Sequence, residues 1–150
     1  MSETYQRIMV AVDGSYESEL AVEKAINVAL RNRATLLLVH VIDTNAYRGE
    51  FLMSDYDFNE QIKHSDEVLS HYASIAREKG LSDIKCITEI GNPNTLLAKD
   101  IPQKEKADLI MVGATGMNTF ERLLVGSTSE YLLRHSQLDV LVVRDGKKTF

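Results

Sequence analysis

Three glycines and two hydroxyl residues, Gly113, Gly116, Gly126, Ser127 and Thr128, fall within one stretch, GATGMNTFERLLVGSTSEY, directly after the apolar run ADLIMV. Residues without a Cβ let backbone N–H groups approach an oxyanion closely, hydroxyls add donors, and a helix N-terminus adds partial positive charge. The chemistry such a stretch suits is the grip of a phosphate chain, with Arg122 as countercharge. A second loop competes for the role, Asp13-Gly14-Ser15 at the end of RIMVAVD. Glu17 and Glu19 open the helix expected there and would repel a phosphate at its start, so the anion is assigned to the later stretch. Ser127 carries two demands, since Ser127 and Glu130 have the S-x-x-E spacing of a capping box and the same hydroxyl faces the ligand.

The other reactive side chains point to less. His40 sits inside an apolar run and reads as a packed core residue. His64 and His71 can share a helical face, yet a zinc site needs three or four donors and no third is in sight. His135 falls at the end of a helix, where it suits free carbonyls, and Cys86 reads as inert packing.

Positioning these residues requires a regular frame. RIMVAVD (Arg7 to Asp13), TLLLVHVI (Thr35 to Ile42), Ile84 to Ile90, Ala107 to Val112 and DVLVVR (Asp139 to Arg144) are short apolar runs with little alternation, as strands covered on both faces should be. Between them lie helical patterns: one from Ser15, one with Phe58, Ile62, Leu69, Tyr72, Ala73 and Ala76 on a single stripe closed by Gly80, a short one around Asn94 to Ile101, and one starting at Ser127. Strands alternating with helices predict right-handed crossovers and a largely parallel sheet with helices on both faces. Asp43 to Asp57 has no steady period and reads as a surface excursion, a candidate lid or partner surface.

At 150 residues, with no repeat and no internal boundary, the chain is expected to be one domain over 1–150. One cysteine, no apolar leader and no long apolar run lead to an expected cytoplasmic location without membrane contact. Net charge is −5 with dispersed Lys and Arg, which gives duplex nucleic acid no footprint. The dinucleotide fingerprint G-x-G-x-x-G is absent after the first strand, as is the G-x-x-x-x-G-K-[ST] loop.

What stands in their place is G-x2-G-x9-G-[ST], together with IMVAVDGS, LLLVHV, ADLIMVGATG and GSTSEYLLRHSQLDVLVVR in that order. In these segments the chain resembles the universal stress protein (UspA-type) family, over nearly its whole length. The resemblance implies an α/β fold: a three-layer, open, twisted, five-stranded parallel sheet of order 3-2-1-4-5, and the ATP-binding branch of the family. It implies that Ala11, Val12 and Asp13 line the adenine and ribose end, that Val41 meets adenine through backbone groups, and that Gly113, Gly116, Gly126, Ser127 and Thr128 hold ribose and phosphates. Asp13 is then also the candidate ligand for Mg2+ bridged to phosphate oxygens. The ligand implied is ATP, with AMP or ADP as alternatives, and hydrolysis at most slow because no dedicated base accompanies the loop. Homodimerisation through the last strand, 139–144, follows from the same resemblance. The chain departs from many relatives by Thr115 in place of Arg and Asp139 in place of Pro, so phosphate countercharge and the start of the last strand are expected to differ. Two other readings share the layout. An adenylate-forming enzyme would carry S-G-G-x-D-S or H-I-G-H, both absent, and a nucleotide-free dimeric scaffold would not need the glycines.

Overall fold

The computed structural model describes residues 4–43, 55–114 and 127–145. The five apolar runs form one parallel sheet of order β3-β2-β1-β4-β5, from β1 (Arg7–Ala11), β2 (Thr35–Asp43), β3 (Ile84–Gly91), β4 (Leu109–Gly113) and β5 (Asp139–Val143). All four strand pairings are parallel. The helices between them are α1 (Tyr16–Asn32), α2 (Asp55–Glu78), the short α3 (Pro93–Thr95) and α4 (Ile101–Glu105), and α5 (Ser127–His135).

Successive strand residues point to opposite faces, so the lack of alternation in the sequence becomes two cores. Ile8, Val10, Leu36 and Leu38 face α1 and α2, meeting Ala21, Ala25, Ile26, Leu69, Ala73 and Ala76. Met9, Leu37, Val39 and Ile110 face the other way, onto Leu97, Ala98, Ile101 and Leu132. Three layers result, with β1 at the centre of the sheet between β2 and β4. In this order the chain winds outward from β1 through β2 to β3, then crosses back to β4 and β5. The carboxyl ends of β1 and β4 therefore flank the crevice where an open sheet takes its ligands.

Element ends differ from the sequence expectation where side chains capture backbone groups. β1 ends at Ala11 rather than Asp13, although the Val12 N–H still donates to the Val39 carbonyl at 2.7 Å. Asp13 Oδ1 accepts the Ser15 N–H at 2.8 Å, and Gly14 turns the chain with φ +84°, a conformation that favours glycine. Ser15 then caps α1, its hydroxyl accepting the Ser18 N–H at 3.1 Å. β4 starts two residues later than expected, at Leu109. The Asp108 carboxylate is turned instead to the N–H groups of Gln6 and Arg7, at 2.7 and 3.0 Å, tying the chain before β1 to the start of β4.

The short helix expected around Asn94 to Ile101 is one continuous winding from Pro93 to Glu105, widened in its middle. A π-turn spans Leu96–Asp100, with the Ile101 N–H donating to the Leu96 carbonyl. Pro102 follows immediately; it lacks the N–H that an α-helix would use there, and its ring crowds the preceding turn. At the start of β5, the Tyr5 hydroxyl donates to Asp139 Oδ2 at 2.7 Å. Cys86, expected inside, is exposed on β3, its Sγ 3.7 Å from the Leu69 carbonyl oxygen, and partial desolvation pushes its thiol pKa up.

Candidate functional site

Where β1 and β4 end, α1 begins on one side and α5 on the other, leaving a cavity of about 390 Å³. Ala11, Val12 and Asp13 bring the end of β1 to it, Val39, Val41 and Asp43 the end of β2, and Val112 and Gly113 the end of β4. Ser18 contributes from α1, Pro93 and Leu97 from the third crossover, and Ser127, Thr128 and Ser129 from the first turn of α5. Apolar walls interrupted by a few polar groups suit a small organic ligand.

Of the residues singled out in the sequence, Ala11, Val12, Asp13, Val41, Gly113, Ser127 and Thr128 all line this one cavity. Gly116, Arg122 and Gly126 lie outside the described residues. The competition between the two loops thus resolves into a shared site, for Asp13 and the start of α5 border the same space.

Two of these residues have surroundings that the sequence did not reveal. Gly113 is fully packed, and a Cβ built on it would stand 2.7 Å from the Glu17 backbone carbon and 2.8 Å from Glu17 Cβ. The absence of a side chain there lets the first turn of α1 sit on the end of β4, so Gly113 shapes the cavity by permitting that approach. Ser127 begins α5 as expected, but Glu130 does not complete a capping box: its carboxylate pairs with Arg134 at 2.9 Å, one turn on.

Ser129 went unnoticed in the sequence. It is 2 % exposed, and its hydroxyl donates to the Gly113 carbonyl at 2.7 Å, with the Ala114 carbonyl at 3.3 Å. That bond pins the first turn of α5 to the end of β4 and holds Ser127 and Thr128 at the cavity. The S-x-S spacing of Ser127 and Ser129 was a usable signal, because residues two apart near a helix start face different ways: one into the fold, one out.

Asp43 was also missed, hidden at the boundary of the expected excursion. It is the last residue of β2 and lines the cavity. Among the described residues the cavity lining holds these two carboxylates and no Lys, Arg or His. No group of three or more His, Cys, Asp or Glu placed to hold a metal occurs among the described residues.

Behind β2 lies a partly buried polar chain. His40 Nδ1 is 2.8 Å from Ser65 Oγ, and Ser65 Oγ is 2.7 Å from Thr88 Oγ1, with Ser65 fully buried. Burial lowers the His40 pKa, against the opposing pull of Asp13 and with a smaller lowering by His64. His135, expected to serve free carbonyls, has its ring 4.3 Å from that of Tyr131, centroid to centroid.

A doubly wound parallel sheet with a cavity at its switch point places the chain among the α/β proteins that take ligands at strand ends. The comparisons make this specific: the model of the universal stress protein family matches residues 4–144. A Staphylococcus aureus (strain USA300) protein named as a universal stress protein is 43% identical over 142 residues, covering 94% of this chain and 85% of the relative. Universal stress protein UspA from Lactobacillus plantarum superposes with a TM-score of 0.82 at 28% identity, over 95% of this chain and 100% of that one. A universal stress protein solved in complex with cAMP superposes with a TM-score of 0.73 at 26% identity, over 94% and 98% of the two chains. The chain belongs to the universal stress protein family.

Proposed function

We propose that the cavity binds an adenine nucleotide, ATP or a shorter relative, and that occupancy tunes the stability or partnerships of a stress-response protein. The observation that carries this reading is the convergence of Ala11, Val12, Asp13, Val41, Gly113, Ser127 and Thr128, drawn from three strand ends and one helix start, on a single cavity. The cAMP complex of a relative at 26% identity adds support for an adenine nucleotide as the class of ligand. On this reading the apolar ends of β1 and β2 take the base, and the first turn of α5 takes phosphate with its N–H groups and the Ser127 and Thr128 hydroxyls. Gly116, Gly126 and Arg122 complete the phosphate side. Asp13 shares Mg2+ with the phosphates when the ligand carries enough of them.

Binding alone can regulate. A ligand present at a hundred times its Kd adds about 2.7 kcal/mol to the folded state, enough to alter lifetime and conformational populations. A homodimer formed through β5 and a cytoplasmic location complete the proposal.

The test is calorimetric titration of the purified chain with ATP, AMP and cAMP, alongside mass spectrometry of any nucleotide that copurifies. Thr128→Asp, which places a negative charge at the start of α5, is expected to weaken binding about tenfold or more. Absence of binding by all three nucleotides, or affinity indifferent to Thr128→Asp, contradicts the reading.

A further inference from the structure

We propose that His40 makes nucleotide binding respond to acid: its protonation, accommodated by the Ser65 and Thr88 hydroxyls, adds a positive charge beside the cavity and tightens the hold on an anionic ligand. The inference rests on the nucleotide reading above and concerns the regulation of that same site.

The placement comes first. His40 lies on β2 between Val39 and Val41, both of which line the cavity, and its ring packs on the opposite face of the strand against α2. The charged and titratable groups facing it among the described residues are Asp13, which borders the cavity and favours the imidazolium, and His64 on α2, which opposes it. A charge appearing at His40 is therefore felt by a carboxylate of the cavity lining.

The hydroxyl chain makes such a charge tolerable. Each hydroxyl has a single proton to give. With Nδ1 unprotonated, Ser65 donates to His40 at 2.8 Å and Thr88 donates to Ser65 at 2.7 Å. With Nδ1 protonated, the imidazolium donates to Ser65 and Ser65 turns its proton to Thr88. Two hydroxyl rotations reverse the chain, and no heavy atom has to move. An apolar pocket would leave the imidazolium N–H unpartnered and hold the ring neutral through ordinary acidities, whereas this one leaves desolvation as the chief cost. Burial holds the His40 pKa below the usual histidine value.

The gain falls on charged ligands. The described cavity lining carries Asp13 and Asp43 and no cationic side chain, so an anion entering it benefits from a positive charge behind β2. An uncharged ligand does not. cAMP and adenosine separate the two, because the phosphodiester keeps one negative charge between about pH 5 and 8 while adenosine has none.

Titration of the full chain with cAMP is expected to give about fivefold tighter binding once the pH falls below the His40 pKa, as read from the ring by NMR, with adenosine unchanged. His40→Gln, whose amide can still hydrogen-bond Ser65, should flatten the cAMP profile. By reciprocity, NMR titration of the His40 ring should show its pKa raised on cAMP binding by the same factor, a readout that does not depend on the variant folding. A cAMP affinity that is flat with pH, an equal change for adenosine, or a His40 pKa unmoved by cAMP overturns the inference. Failure of all nucleotides to bind at neutral pH sinks the nucleotide reading itself, so the two failures are distinguishable.

Discussion

Gly113 shows how one residue can meet a demand different from the one its motif announces. In the sequence it is the first glycine of a phosphate-binding stretch; in the fold its missing side chain makes room for the Glu17 backbone, which would stand 2.7 Å from an added Cβ. Backbone does not yield as a flexible side-chain tip does. Gly113→Ala should therefore lower stability by about 1–3 kcal/mol, the range for forced overpacking, in urea unfolding followed by circular dichroism. An unchanged midpoint would contradict the close approach. The approach could not be read beforehand because Glu17 and Gly113 are brought together only when α1 packs on β4. Ser65 is the contrary case, for it falls in step with Ile62 and Leu69 on the apolar stripe of α2, where a serine needs a buried partner. The period of that stripe places Ser65 on it, a signal the sequence reading passed over, while its partners on β2 and β3 required the sheet.

The elements were legible because the sheet is covered on both faces. Continuous apolar runs mark all five strands, and the stripe of α2 and the serine before α1 mark their helices. What stayed hidden were the ties at the amino ends of the strands, where side chains distant in sequence meet. Glu105, at the end of α4, is 7 % exposed and reaches Lys85 on β3 at 2.8 Å and Arg7 on β1 at 3.4 Å. It joins the third crossover to two strands that the sequence separates widely. The hydrogen bond from Lys85 comes first among the causes that hold the Glu105 carboxyl below its usual range, outweighing the opposing effect of burial. A carboxyl whose folded pKa is depressed stabilises the fold above its unfolded value, about 4.3, and that contribution is lost as pH falls through the folded value. Glu105→Gln should cost about 1–2 kcal/mol at neutral pH and shrink the loss of stability on acidification below about pH 4, measured by urea unfolding at several pH values. Parallel acid dependence in variant and parent would show that Glu105 carries none of it.

At the scale of the whole molecule, the winding order β3-β2-β1-β4-β5 leaves β3 and β5 as edges and gathers the ligand cavity at the centre. β5 presents Leu141 at 38% exposure, an apolar residue on an open strand, the kind of edge that pairing with another chain would cover. Pairing through β5 predicts a dimer in sedimentation velocity, and Leu141→Lys should shift it towards monomer while leaving the helical circular dichroism intact. A monomeric parent chain would contradict that arrangement. No helix among the described residues is long and apolar enough to cross a membrane. The cavity remains the feature on which the account turns, and it can be tested amide by amide. In a 15N-labelled sample titrated with AMP, the account predicts that the signals of Ala11, Val12, Asp13, Val41, Gly113, Ser127 and Thr128 move together along one binding curve. Signals that stay in place, or shifts gathered at another part of the sheet, would contradict it.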